Sequence, residues 1–349
     1  MSICLSMIVK NESHVIRRCL LSVLPFIDSY SISDTGSTDD TRAIILEVLH
    51  GVPGVLSRDA WQDFGTNRNL SLARADADHV LFIDADETLE VDSTKIELPG
   101  VFDGYVAAIH CAGAVFWRTA IIRNDARWKW HGKIHEVLRY DGNANGFQLG
   151  NVRIRSFNDS HRNKLGDKFS RDLTILEAEP RTASNLFYTA ECLRGLNRYE
   201  ESIAKYEEFA AIGEVPEEVY TALLNAADLR SLLPGSFESK AAAYFRAFVF
   251  RPERTEALSA LCKILRENMR YEEAFRLSDV EPQVTQDYHY RDSGHAWRVL
   301  EEHALAAYFL NRFDEAHRYF LRVNCFELDP ADRQRTISNI AFCISKLGK

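Results

Sequence analysis

Hydrophobic and polar positions change period several times in the first half of the chain. Residues 2–9, SICLSMIV, form a short apolar run that predicts a core strand. Over residues 13–27, Val15, Ile16, Cys19, Leu20, Val23, Leu24 and Ile27 fall on one helical face. SYSIS (29–33) predicts a second short strand. TRAIILEVL predicts a helix capped by Asp39 or Thr38. Residues 66–75 predict a further helix, and 79–83 a strand. Such a βαβα order implies parallel strands joined by crossover helices. Ligands of such sheets bind at the carboxyl ends of strands, where SDTGSTDD and DADE are both placed.

Beyond about residue 165 the periodicity is helical only. GLNRYEESIAKYEEF (195–209), ENMRYEEAFRL (267–277) and LNRFDEAHRYFLRV (310–323) share an aromatic-acid-acid-small pattern that starts at Tyr199, Tyr271 and Phe313. A less regular unit starts at Phe237. The intervals are near the ~34 residues of a tetratricopeptide unit, a helix pair that buries its apolar face only by stacking. The expected organisation is a domain over 1–165 with a mostly parallel central sheet and an all-α repeat domain over 166–349.

The 349 residues suffice for two domains, and 46% hydrophobic with 27% charged residues is ordinary for a folded globular chain. The net charge of −9, without a basic patch interleaved with aromatics, argues against nucleic-acid binding. MSICLSMIVKNE lacks the basic start of a leader peptide, so it reads as strand. GYVAAIHCAGAVFW is too short to span a bilayer. Seven scattered cysteines, with no CxxC, predict free thiols and a cytoplasmic location.

The chemistry concentrates in LSMIVKNE (5–12), DTGSTDDT (34–41), DFGTNRN (63–69), LFIDADE (81–87) and WKWHGKIHE (128–136). In FIDADE an apolar strand ends in Asp84, Asp86 and Glu87, acids that repel one another and resist burial. If the backbone there is extended, Asp84 and Asp86 share a face and can meet a hard cation and ligand hydroxyls. Glu87 stands beside them, and Asp86 is expected to face solvent. In HGKIHE, Ile134 and Val137 suit a strand, which would put His135 and Glu136 on opposite faces. No GxxxxGK[ST] and no GxGxxG follows the first strand, which excludes P-loop and dinucleotide-binding readings.

Taken in order, these five strings resemble family-2-type glycosyltransferases of the GT-A fold. They resemble in particular the bacterial and phage subgroup that carries tetratricopeptide-like repeats, which includes enzymes that modify bacteriocin peptides such as sublancin. The resemblance covers most of the first 175 residues, and the helical part in type only. It implies an inverting transfer from a UDP-sugar, with Mn²⁺ or Mg²⁺ neutralising the departing diphosphate. Asp86 would be the direct metal ligand, His135 a further metal ligand or diphosphate contact, and Asp84 would lie nearer the ribose. Asp34 would meet the uracil. Lys10, Asn11 and Glu12 would line the nucleotide pocket, and Arg68 would face the nucleotide. The subgroup usually reads Ala-Arg-Asn where this chain has Asn67-Arg68-Asn69. A base must remove the acceptor proton; Glu136, Glu87 and His131 are the candidates. Trp117, Trp128 and Trp130 suit either a platform for a sugar face or core packing. The repeats suggest a protein or peptide acceptor, or self-association into a homodimer. A saccharide or lipid-linked glycan acceptor, and an inactive scaffold, are the alternatives.

Overall fold

The computed structural model describes residues 1–111, 114–281 and 296–348. Two compact units, Met1–Ala178 and Glu179–Lys349, divide the chain.

The first unit is built on an eight-stranded sheet in the order β3-β2-β1-β4-β7-β6-β10-β5. The strands are β1 (Ile3–Val9), β2 (Ser29–Asp34), β3 (Gly54–Arg58), β4 (His79–Phe82), β5 (Glu87–Val91), β6 (Gly104–Cys111), β7 (Ala114–Arg123) and β10 (Gly146–Ser156). β8 (Trp128–His131) and β9 (Val137–Tyr140) form a separate hairpin. β3, β2, β1 and β4 are parallel, and β4 and β7 antiparallel. The helices between the parallel strands are α1 (Ile16–Val23), α2 (Thr41–Val48) and α3 (Phe64–Leu72). Leu5, Met7, Ile32, Leu81 and Ile121 from the sheet and Ile16, Leu20 and Ile45 from the helices share one core. The chain leaves β1 towards β2 on one side and β4 lies on the other. The crevice at their carboxyl ends is therefore the expected ligand position.

Three local predictions differ from the structure. Asp40, not Thr38 or Asp39, sits at the N-cap of α2, while Asp39 accepts from the Thr41 N–H at 3.1 Å. DADE is a tight turn, closed by the Glu87 N–H donating to the Asp84 carbonyl at 3.0 Å, so Asp84 and Asp86 do not share an extended face. In HGKIHE only His131, the end of β8, is strand: φ of 103° at Gly132 and 51° at His135 reverses the chain before β9 opens at Val137.

α4 (His161–Lys164) and α5 (Lys168–Glu177) belong to the first unit. The division falls after residue 178, beyond the 165/166 change of pattern, because Asp172 pairs with Arg162 and Leu173 and Leu176 are buried.

Among the described residues of the second unit the elements are helices alone: α6 (Ala183–Gly195), α7 (Tyr199–Ile212), α8 (Pro216–Leu232), α9 (Phe237–Phe250), α10 (Thr255–Glu267), α11 (Tyr271–Leu277), α12 (Ala296–Phe309), α13 (Phe313–Val323) and α14 (Pro330–Leu347). The repeat has a structural signature. Asn197, Met269 and Asn311 are all left-handed, two residues before Tyr199, Tyr271 and Phe313. In each turn the next N–H, of Arg198, Arg270 or Arg312, returns to the preceding helix at 2.8–2.9 Å. This is the C-capping geometry that reverses a helix into its neighbour. The small residue of the pattern, Ser202, Ala274 or Ala316, is fully buried where the paired helices approach. These are tetratricopeptide-like helix pairs.

Candidate active site

The site is assembled from α3, the DADE turn, β7 and the 131–136 turn. α3 is capped by Asp63, whose carboxylate accepts from the Thr66 N–H at 2.6 Å. Gly65 lets α3 approach closely, since a side chain there would stand 2.5 Å from the Gly132 carbonyl oxygen. Asn69 pairs with the Trp130 backbone through both amide atoms, at 2.8 and 2.9 Å. Asn67 fixes the preceding loop by accepting from the Gln62 N–H at 2.9 Å and donating to the Ala60 carbonyl at 3.1 Å. That explains an amide where the subgroup has alanine. Arg68 is thereby carried between the two acidic segments.

A chain of charges results. Arg68 Nε donates to Glu136 Oε1 at 2.6 Å, and Arg68 Nη2 to Asp84 Oδ1 at 2.7 Å. Arg118 Nη1 lies 3.7 Å from Asp84 Oδ2, and Arg118 Nη2 donates to Glu87 Oε2 at 2.6 Å. The antiparallel register that pairs Leu81 with Ile121 brings Arg118 opposite Asp84 when continued past the end of β4. Crowding by protein atoms alone would push the Asp84 pKa up, but Arg68 and Arg118 outweigh it and hold the pKa low. The two arginines therefore account for much of the tolerance of acids at this strand exit.

Glu87 is 3% exposed, and the same oxygen that meets Arg118 accepts from the Asp84 N–H at 2.9 Å. Its burial raises its pKa. It braces the turn from within the cleft lining. Asp86 is 8% exposed, not the solvent-facing acid expected. Its Oδ2 accepts from the Ser160 N–H at 3.2 Å, and burial together with Asp84 raises its pKa.

Glu12, Arg68, Asp84, Asp86, Glu87, His135 and Glu136 line one cleft of about 410 Å³. Such a volume suits a small-molecule ligand. Trp130 lines it too, edge-on to Phe82 at 5.2 Å. Trp128 is buried against Tyr140, whereas Trp117 and His131 are exposed outside the cleft lining. Lys10 lies in an adjoining cavity with Glu12. Asn11 and Asp34 line neither cavity. Asp34, 1% exposed, accepts from the Ser37 N–H at 2.9 Å and pairs with Arg42 at 3.2 Å, so it braces the turn that Gly36 opens at φ 107°. Asn11 joins the same turn by accepting from the Thr38 N–H at 2.8 Å. Sequence reasoning missed Arg118, Arg162, Lys168 and Asp172 in the cleft and Trp61 beside it. Only strand pairing and the return of α5 reveal them.

His135 touches solvent at the cleft edge. Desolvation by its immediate surroundings, then the charges of Lys168 and Arg162, lower its pKa to about 4, so the imidazole is neutral at pH 7. Glu12 is buried, and its carboxylate accepts from the His161 N–H at 3.1 and 3.3 Å. Burial, and then the charges of Asp86, Asp39 and Asp84, raise its pKa from 4.5 to about 7. Between those values the folded state holds a proton that the unfolded state has lost. Stability should therefore fall as pH rises from about 4.5 to about 7, by up to about 3 kcal/mol, and then level. Glu12→Gln should flatten that slope in urea unfolding of the ligand-free protein and raise stability at pH 8. An unchanged slope would remove Glu12 as its source.

Residues 4–158, which lie within the first unit, match the family model described as glycosyl transferase family 2. Over 216 residues the chain is 28% identical to the SPbeta prophage-derived glycosyltransferase SunS of Bacillus subtilis, covering 56% of this chain and 50% of that protein. Over 89 residues it is 40% identical to a TPR repeat-containing protein of Synechococcus elongatus, covering 26% of this chain and 21% of the relative. The chain thus spans at most half the length of these curated relatives. Among solved structures, S. aureus TarS 1–349 in complex with UDP-GlcNAc aligns at 15% identity and TM-score 0.38, covering 82% of this chain and 95% of that one. A tetratricopeptide repeat protein from Parabacteroides merdae aligns at 19% identity and TM-score 0.36, covering 53% and 66%.

Proposed function

We propose that this chain, whose residues 4–158 match the glycosyl transferase family 2 model, transfers a sugar with inversion from a UDP-sugar to a protein or peptide acceptor. The observation that carries this reading is the convergence of Asp84, Asp86, Arg68, Glu136 and His135 on one cleft at the carboxyl ends of β1 and β4.

Asp86 and His135 fit a divalent cation in part. Among the described residues no three His, Cys, Asp or Glu side chains converge as a cage. Mg²⁺ and similar ions need only one or two protein carboxylates when substrate phosphates supply further oxygens. The low pKa of His135 keeps its imidazole neutral and able to ligate. When bound, Mn²⁺ or Mg²⁺ would supply charge neutralisation to the departing diphosphate.

The chain's own residues do the rest. Asp84, clamped by two arginines, holds the position from which a carboxylate can meet the ribose. Lys10 stands where the nucleotide end would enter. Asp34 and Asn11 act on that end from behind, by fixing the turn that forms its wall. Glu136 is the base for the acceptor hydroxyl, with Arg68 orienting its carboxylate. Trp130 offers a face to the sugar. The helical unit recruits a polypeptide acceptor, as stacked helix pairs present extended surfaces. Among the described residues no helix is long and apolar enough to cross a membrane. All seven cysteines are free thiols, five of them buried, which fits a reducing compartment.

The test is thermal unfolding with a panel of nucleotide sugars, with Mn²⁺ and with chelator. Saturating UDP-sugar should raise Tm by about 5 °C, and chelator should diminish the shift. No shift with any nucleotide would overturn the donor reading.

A further inference from the structure

Two cavities of the first unit share part of their lining. The larger is the cleft described above. The smaller, about 310 Å³, is lined by Val9, Lys10, Thr35, Trp61, Leu165 and Arg171, among others. Both are lined by Ile8, Glu12, Phe64 and Arg162. A nucleotide sugar is a linear ligand, with base and ribose at one end, the sugar at the other and the diphosphate between. A ligand that spans both cavities puts its diphosphate at their common wall.

Arg162 is the cation of that wall. Its guanidinium carbon lies 4.4 Å from the Phe64 ring centroid, and its Nη2 pairs with the buried Asp172. Ring and carboxylate together fix the guanidinium plane, which suits a group that binds phosphate through a rigid fork. Lys168 stands in the larger cavity. Its ammonium donates to the neutral Asn163 Oδ1 at 3.1 Å, and among the described residues no carboxylate pairs with it. A half-buried ammonium without a counter-ion carries a desolvation cost that an arriving anion relieves. Both side chains line the larger cavity together with His135 and Asp86. Both residues also lie beyond residue 158, where the family match ends.

We propose that Arg162 and Lys168, on α4 and at the start of α5, are cationic contacts to the donor diphosphate, so that a segment outside the family 2 match completes the donor site. This rests on the nucleotide-sugar reading above. α5 is then part of the catalytic unit, and a fragment cut at the end of the family match lacks its phosphate contacts.

Calorimetry on the full chain with UDP and with uridine, in Mn²⁺, tests this. Lys168→Met should weaken UDP binding about tenfold and leave uridine binding unchanged, and Lys168→Arg should restore most of the loss. Arg162→Ala strands the buried Asp172 and can unfold the protein, so Arg162→Lys is the second variant; it keeps the charge, loses the fork, and should weaken UDP several-fold. Wild-type UDP affinity in Lys168→Met, or an equal loss for uridine, would overturn the diphosphate role and leave the transferase reading standing. A wild-type protein that binds no nucleoside diphosphate would overturn both.

Discussion

Asp86→Asn should lower kcat for sugar transfer by about 10²–10³-fold while Tm stays level or rises. The two halves of this expectation have separate causes. Asp86 is almost fully buried, and its charge is opposed by burial and by Asp84. Asparagine keeps an oxygen to accept from the Ser160 N–H, the bond made at 3.2 Å, and removes the charge. The fold therefore loses an unfavourable term and no hydrogen bond. A hard cation at the diphosphate would lose its anionic ligand, so the residual activity should respond weakly to added Mn²⁺. Sites of this kind commonly give up stability for function. Steady-state kinetics over a metal titration, with a melting curve of the same preparation, checks both halves. Unchanged turnover would remove Asp86 from the metal site. A fall of many degrees would place it among residues that hold the turn.

The contrast between Asp86 and Arg118 shows what could be read from the chain and what could not. The acids after Ile83 stand next to one another in sequence, and an apolar strand ending in carboxylates is a local signal. LSMIV and its parallel neighbours were legible for the same reason, since apolar runs and helical periods are local. Arg118 is one of many arginines until β7 is paired antiparallel to β4, and no spacing in the sequence states that pairing. Lys168 was assigned to the helical half because the pattern beyond residue 165 has a helical period; what ties its helix to the first unit is the buried pair of Asp172 with Arg162. HGKIHE misled through the β propensity of Ile134 and Val137. The backbone there follows Gly132 and the left-handed His135 instead. β3 was missed because it is a short, half-exposed edge strand with little apolar signal. Asp34 lay in a recognisable string, yet its carboxylate turns inward to Ser37 and Arg42, a direction that residue identity does not encode.

Arg68→Ala should cost the first unit about 3–5 kcal/mol and lower its Tm by about 10 °C, the largest stability effect expected of any side chain in the cleft. Its side chain is 12% exposed and serves Glu136 and Asp84 at once. Removing it leaves Asp84 with Arg118 at 3.7 Å and deprives Glu136 of a charged partner at 2.6 Å. Most of the loss is the cost of uncompensated carboxylates, so it should depend on them. Glu136→Gln in the Arg68→Ala background should recover part of the stability, a coupling of about 0.5–3 kcal/mol measurable by urea unfolding of the four proteins of the cycle. In the wild-type background the same Glu136→Gln keeps an oxygen for Arg68 Nε and removes the base. It should leave Tm nearly unchanged and UDP affinity intact while turnover falls by about 10²–10⁴. Together these variants separate the two roles that Glu136 combines. A loss below about 1 kcal/mol for Arg68→Ala, as for an exposed ion pair, would show that the Glu136–Arg68–Asp84 chain does not hold the cleft together. Turnover that survives Glu136→Gln would move the base to another residue and leave Glu136 as the anchor of Arg68.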